Sequence, residues 1–271
     1  MARNQNLELV RILAAFGIVL FHSGARGAHI GYGGLIAFVI LSAMFARPSS
    51  PKALAKGILL PWAFWLAAYG VVNLILRGYF FRPDLTPIGA VFYGTGVHLW
   101  YLPFIFVVCL VIGRFQGIRA EWIAAAMALL LFFAAPWWSA VPFLDSPPFP
   151  QYIHVLPAVL VGLAFRSRAP ALAVLVALIT AWVWNVPVPL SYLIGAFAVL
   201  AALQIKEMRW NVQPVADCMF GVYLLHPMAL TVTNFFLGRE SFLGAVVAFL
   251  ISLGLTYVAR LGWKPSRLVL R

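Results

Sequence analysis

Residues 7–23, LELVRILAAFGIVLFHS, read as one membrane-spanning helix that carries three polar side chains such a helix ordinarily excludes: Glu8, Arg11 and His22. An α-helix turns by about 100° per residue, so the eleven steps from Arg11 to His22 return to within roughly 20° of the same face. Glu8 lies one turn before Arg11, on nearly the same side. The rise from Arg11 to His22 is about 16 Å, over half of a hydrocarbon core. One face of one helix thus presents a cation near one membrane surface and an imidazole near the other. Ionisable groups at such depth are costly in lipid and turn toward a bundle interior or a wet cavity. Spacing alone leaves a second reading equally open, in which Glu8 and Arg11 form a snorkelling interfacial pair and His22 touches headgroups at the helix end.

The rest of the chain is as apolar as that stretch. Of 271 residues 64% are hydrophobic and 10% charged, and the mean hydropathy is +0.97. That composition excludes a soluble domain. The length suits a bundle of many short spans, so a single membrane-embedded domain over 1–271 is expected, with no appended soluble domain. A net charge of +12 would point to nucleic acid in a soluble protein. Here it is first a topology signal, and nucleic acid is not an expected partner. Cys109 and Cys218 both lie in apolar surroundings and imply neither a disulfide framework nor a metal site. The first stretch has no cleavage-site pattern and holds an arginine, which marks a retained helix rather than a signal peptide.

Hydropathy divides the chain into about ten spans, at 7–23, 30–46, 56–77, 97–113, 120–138, 152–165, 170–184, 188–204, 215–237 and 242–260. With alternating loops, one side of the membrane holds Arg3, Arg47, Lys52, Lys56, Arg114, Arg119, Arg166, Arg168, Lys206, Arg209, Arg260, Lys264, Arg267 and Arg271. The other side holds only Arg26, Arg77, Arg82 and Arg239. The excess of positive charge on the first side predicts an all-α polytopic bundle with both termini cytoplasmic. Arg11 then falls at the inner end of the first helix and His22 at the outer end. His29 sits in the first outer loop, His98 and His154 open inward-running spans, and His226 lies mid-span or somewhat outward. For His29 and His154 an ordinary interfacial role is the simpler reading.

The loop 82–96, broken by Pro83, Pro87, Gly89, Gly94 and Gly96, reads as a short interfacial or re-entrant piece covering an outer cavity. Ser139 to Gln151, with four prolines, reads as an irregular outer connection. The tail 263–271 is basic and amphipathic and suits an anionic inner leaflet.

Several of these stretches together resemble the acyltransferase 3 family of integral membrane acyltransferases. LELVRILAAFGIVLFH resembles the family's opening, whose hallmark is an arginine and a histidine separated by ten residues, here Arg11 and His22. Glu8 stands where the family often has an acidic residue. FVILSAMFA, at 38–46, resembles its second-helix signature, with Ala43 following Ser42 where glycine is usual. Lys52, Lys56 and Pro61 resemble the entry to the third helix, which in the family is richer in arginine. HLWYL, at 98–102, is similar to a histidine-leucine-tryptophan signature, and FGVYLLHPM, at 220–228, to a tyrosine-leucine-leucine-histidine-proline signature. Pro61, Trp100 and Tyr101 are also explained as a helix start and aromatic-belt residues. Tyr223 and His226 share a helix face, and Pro227 frees a backbone carbonyl there, which a kinked packing helix equally explains.

The resemblance implies an O-acyltransferase moving an acyl group, often acetyl, from cytoplasmic acetyl-CoA or another acyl-CoA to a hydroxyl of a sugar or envelope molecule outside the cytoplasm. It implies polysaccharide or envelope modification, an address in the bacterial cytoplasmic membrane and no tightly bound cofactor. The expected catalytic residues are His22 and Arg11. Arg11, Glu8, Lys52 and Lys56 are expected on the donor, and Ser42, His98, Trp100, Tyr223 and His226 around the site. A hydroxyl needs a base at neutral pH, and His22 is the expected one. An acyl-histidine relay through His22 is the second chemical route. A transporter or flippase for a small anionic or amphipathic substrate would use the same charges for binding, but no pair of similar halves is visible. For a non-catalytic scaffold, the in-membrane Arg11 and His22 would be needless cost.

Overall fold

The computed structural model describes residues 3–134, 137, 147–183, 190–262 and 266–270. Its elements are helical, with no strand among the described residues. They run α1 (Gln5–Ser23), α2 (Ala28–Met44), α3 (Pro51–Leu54), α4 (Leu60–Arg77), α5 (Pro87–Tyr93), α6 (Tyr101–Ile112), α7 (Ile118–Phe133) and α8 (Phe149–Ala164). There follow α9 (Arg168–Val183), α10 (Leu190–Gln204), α11 (Gln213–Ala216), α12 (Met219–Leu237), α13 (Phe242–Gly262) and α14 (Ser266–Val269). A π-helical turn, Ala55–Leu59, joins α3 to α4. Pro61 cannot donate to the Gly57 carbonyl, and the Leu60 amide reaches back to Ala55 instead.

Four helices are long and apolar enough to cross a membrane: Gln5–Ser23, the continuous Pro51–Arg77, Met219–Leu237 and Phe242–Gly262. Ala28–Met44, Tyr101–Ile112, Phe149–Ala164, Arg168–Val183 and Leu190–Gln204 are shorter apolar helices. Large apolar side chains face outward along them, among them Ile75 (75% exposed), Val258 (67%) and Phe235 (83%). An apolar outer face of this extent needs a lipid solvent.

α2 is the hub. Its Ile36, Val39, Ile40 and Ala43 are wholly buried. α1 crosses it where a Cβ on Gly31 would meet the Gly17 carbonyl at 2.5 Å and one on Gly34 the Ala14 carbonyl at 2.5 Å. α8 crosses it at Gly162, where a Cβ would lie 2.5 Å from the Ile40 carbonyl. Backbones touch because small residues permit it, the usual means of packing helices in lipid. Asn6 ties the start of α1 to the end of α10, its amide donating to the carbonyls of Ala202, Ile205 and Lys206. Arg166 closes the ends of α8 and α2 by donating to the carbonyls of Ala43, Met44 and Ala46.

Some expected boundaries move. His98 does not open a helix: it sits in successive tight turns (Leu99 to Gly96, Tyr101 to His98), because Pro103 lies in the first turn of α6 and Gly94 and Gly96 precede it. Gln151, expected in an irregular loop, lies in the first turn of α8. The described part of the tail does not lie free for a membrane surface. Ser266 donates to the Ala259 carbonyl, the Val269 carbonyl accepts from Trp65, and Leu270 is buried. Trp263, Lys264, the Arg267 side chain, Arg271, and Asp145 of the 139–151 connection lie outside the described residues.

Candidate active site

α1 is bounded by its own caps. The Asn4 side chain accepts from the Asn6 and Leu7 amides, and Gly24 closes the helix at φ 68°. Between them Arg11 and His22 fall on one face, and each opens into its own cavity.

At the Arg11 end, the guanidinium donates to Glu8 at 2.8 Å. Glu8 is buried, and its second oxygen lies 3.9 Å from Arg3. Arg3 in turn bonds Asp217 at 2.6 Å, and Arg260 stands 3.8 Å from the same carboxylate. Arg3, Arg11, Arg260 and Asp217 line a cavity of ≈ 500 Å³ with Ser42 and Tyr101. The lining is cationic, three guanidiniums against one carboxylate. Glu8 stands behind it and its carboxylate is taken up by arginine, so its contribution is to hold Arg11. Lys52 and Lys56 are exposed on α3 and the π-turn and are not brought to this cavity. Arg3, Arg260 and Asp217 were not singled out by the sequence reading. They meet only because α1, α12 and α13 pack together, and nothing local to any of the three signals it.

At the His22 end lies a cavity of ≈ 700 Å³ lined by His22, His29, His98 and His154, with Tyr32, Trp100, Gln151, Ser191 and Tyr223 among the other walls. His29 and His154, read from sequence as interfacial, therefore belong to the same chamber as His22. His226 lies directly behind His22, its Nε2 3.3 Å from the His22 Nδ1. His98 is buried, with its ring centroid 5.4 Å from His226 and 5.0 Å from Tyr69. The Tyr223 hydroxyl donates to the His98 carbonyl rather than to His226. Helix α5, expected as a cover, does not line the cavity; the adjoining wall is Val97, His98 and Trp100 from the following turns. α5 has its own supports: Thr86 caps it, and Arg82 pairs with Asp84 (3.0 Å) and lies 5.9 Å from the Tyr93 ring.

Three rings separate the two cavities. Phe38 and Tyr101 line the Arg11 side and Tyr223 the His22 side. Their centroids lie 5.8 Å (Phe38–Tyr101), 5.6 Å (Tyr101–Tyr223) and 6.3 Å (Phe38–Tyr223) apart. Ser42 holds the wall in place by a 2.8 Å hydrogen bond with the Tyr101 hydroxyl, while also donating to the Phe38 carbonyl.

A family model described as an acyltransferase domain, that of the acyltransferase 3 family, matches residues 4–261. The chain belongs to the acyltransferase 3 family. Membership makes it a membrane acyltransferase, in keeping with its apolar helices. Comparison with curated proteins gives no match. Comparison with solved structures gives none. In this acyltransferase, the match runs from Asn4, the N-cap of α1, to Leu261 in the last turn of α13, so the linings of both cavities lie inside it except for Arg3.

Proposed function

We propose that this single membrane-embedded domain is an O-acyltransferase of the bacterial cytoplasmic membrane. It takes an acyl group, in the first instance acetyl, from cytoplasmic acyl-CoA to a hydroxyl of a sugar or other envelope molecule on the far side. The observation that carries this reading is the pairing of a cationic cavity at Arg11 with an imidazole-lined cavity at His22, along one face of α1 and with one layer of rings between them.

Coenzyme A is polyanionic, and planar guanidiniums suit its phosphates. With Arg11 on the cytoplasmic side, the nucleotide end rests among Arg3, Arg11 and Arg260, and the flexible pantetheine arm extends along α1 past Phe38 and Tyr101. The His22 cavity offers rings for a sugar face at Tyr32 and Trp100 and polar groups for its hydroxyls at Gln151 and Ser191. His22 takes the proton of the acceptor hydroxyl as its oxygen bonds to the thioester carbonyl carbon. The C–S bond then breaks, and the thiolate of coenzyme A leaves with the proton that His22 returns.

The test is His22→Ala in proteoliposomes, with acetyl-CoA on the Arg11 side and hydroxyl acceptors on the other. Transfer should fall by about 10²–10⁴-fold, the contribution of a positioned base, with coenzyme A binding retained. The rise of rate with pH that reports the base in the wild type should be lost in the variant. Equal product formation by the two proteins removes His22 from the mechanism. Transport of an unmodified acceptor by both supports the transporter reading instead.

A further inference from the structure

The segment Tyr223 to Pro227 does more than supply Tyr223 to the cavity wall. Pro227 has no N–H, so the Tyr223 carbonyl, four residues earlier in α12, lacks its helical donor. His226 Nδ1 lies 2.7 Å from that carbonyl oxygen. A carbonyl only accepts, so Nδ1 carries the proton, and Nε2 of the neutral ring is an acceptor. That Nε2 is 3.3 Å from Nδ1 of His22, which is itself 2.9 Å from the Ile18 carbonyl. Both neighbours of His22 Nδ1 are therefore acceptors, and Nδ1 of His22 carries its proton in turn. The lone pair of His22 is left on Nε2, which no group hydrogen-bonds among the described residues. His226 is wholly buried and packed against the His98 and Tyr223 rings, so it has no room to turn away.

We infer that His226 is a positioning residue for acyl transfer: seated on the carbonyl that Pro227 frees, it holds His22 in the Nδ1–H form and turns Nε2 toward the acceptor. The inference rests on the proposed reaction, with His22 as base. When His22 takes up the acceptor's proton at Nε2, its Nδ1–H becomes a charged donor that His226 Nε2 and the Ile18 carbonyl both receive. The same arrangement presents Nε2 if His22 acts as nucleophile.

Two near-isosteres separate positioning from bracing. In Gln the amide reaches the place of Nε2 and accepts from His22; in Asn it reaches the place of Nδ1 and serves only the Tyr223 carbonyl. His226→Gln should stay close to wild-type kcat. His226→Asn and His226→Leu should lose about 10- to 100-fold in kcat, as loss of an orienting partner does, with KM for donor and acceptor unchanged. Nitrogen-15 NMR of histidine-labelled protein, with the His22 signal assigned by its absence in His22→Ala, should show the Nδ1–H form in wild type and His226→Gln. His226→Asn should show a mixture of the two forms. His22 protonated on Nε2 in the wild type overturns the inference, as does Asn outperforming Gln, or an unchanged His22 signal and kcat in His226→Asn. If His226→Leu does not fold, the Gln and Asn variants decide. Should His22→Ala transfer at the wild-type rate, the reaction assignment fails, while the NMR still reports separately on the lock.

Discussion

Arg11 and Glu8 show why a charged pair inside a membrane helix need not be an ornament of the interface. Glu8 is buried and receives Arg11 at 2.8 Å, with Arg3 as a second cation nearby. Arg11 thereby keeps one side of its fork fixed while the rest faces the cavity. Arg11→Lys preserves the charge but not the planar fork and should lower donor kcat/KM. Arg11→Ala should lower it further, by about 1.5–3 kcal/mol for a lost charge-assisted contact. Titration of acetyl-CoA at saturating acceptor reads both. Exchanging the pair, as Glu8→Arg with Arg11→Glu, keeps an ion pair but moves the cation a turn away. Full activity in that double variant counts against a donor role for Arg11.

At the scale of elements, α1 is placed by its contact with α2, and that contact depends on glycine. A Cβ on Gly31 would meet the Gly17 carbonyl at 2.5 Å and the Phe21 amide at 3.1 Å, both backbone atoms that cannot step aside. Gly31→Ala should destabilise the detergent-solubilised protein by about 1–3 kcal/mol, seen as a lower Tm. Gly254, with nothing within 4 Å, is the matched control: Gly254→Ala should leave Tm equal or slightly raised, since alanine favours helix. The ring wall makes a second prediction. If the acyl arm must pass Phe38 and Tyr101, Phe38→Ala should widen the passage and raise acceptor-independent hydrolysis of acetyl-CoA relative to transfer. An unchanged hydrolysis-to-transfer ratio would mean that the wall is not on the donor's route.

For the whole molecule, the question is which end faces the cytoplasm. Hydrogen bonds and ion pairs gather Arg3, Lys206, Asp217 and Arg260 at the end where α1 begins. By the bias of positive charge that end is expected to face inward. In a background with Cys109 and Cys218 replaced, single cysteines at Arg26 and Gly238 should label with an impermeant thiol reagent outside intact cells. Cysteines at Arg168 and Lys206 should label only after permeabilisation. Labelling of Arg26 and Arg168 from the same side sinks the ten-span topology.

The sequence by itself determined what depends on one helix at a time. Apolar runs locate the helices because every spanning backbone must satisfy its own hydrogen bonds. Arg11 and His22 share a face because 3.6 residues per turn fixes that relation whatever surrounds α1. The freeing of the Tyr223 carbonyl was likewise readable from Pro227. Which group takes that carbonyl, and what that group does next, was decided only by tertiary structure. So were the gathering of His29 and His154 around His22, the joining of Arg3, Arg260 and Asp217 to Arg11, and the exclusion of Lys52 and Lys56. These relations join residues far apart in the chain, such as His22 and His226. They arise from which small-residue surfaces let helices approach, and that packing leaves no periodic mark around the residues it brings together.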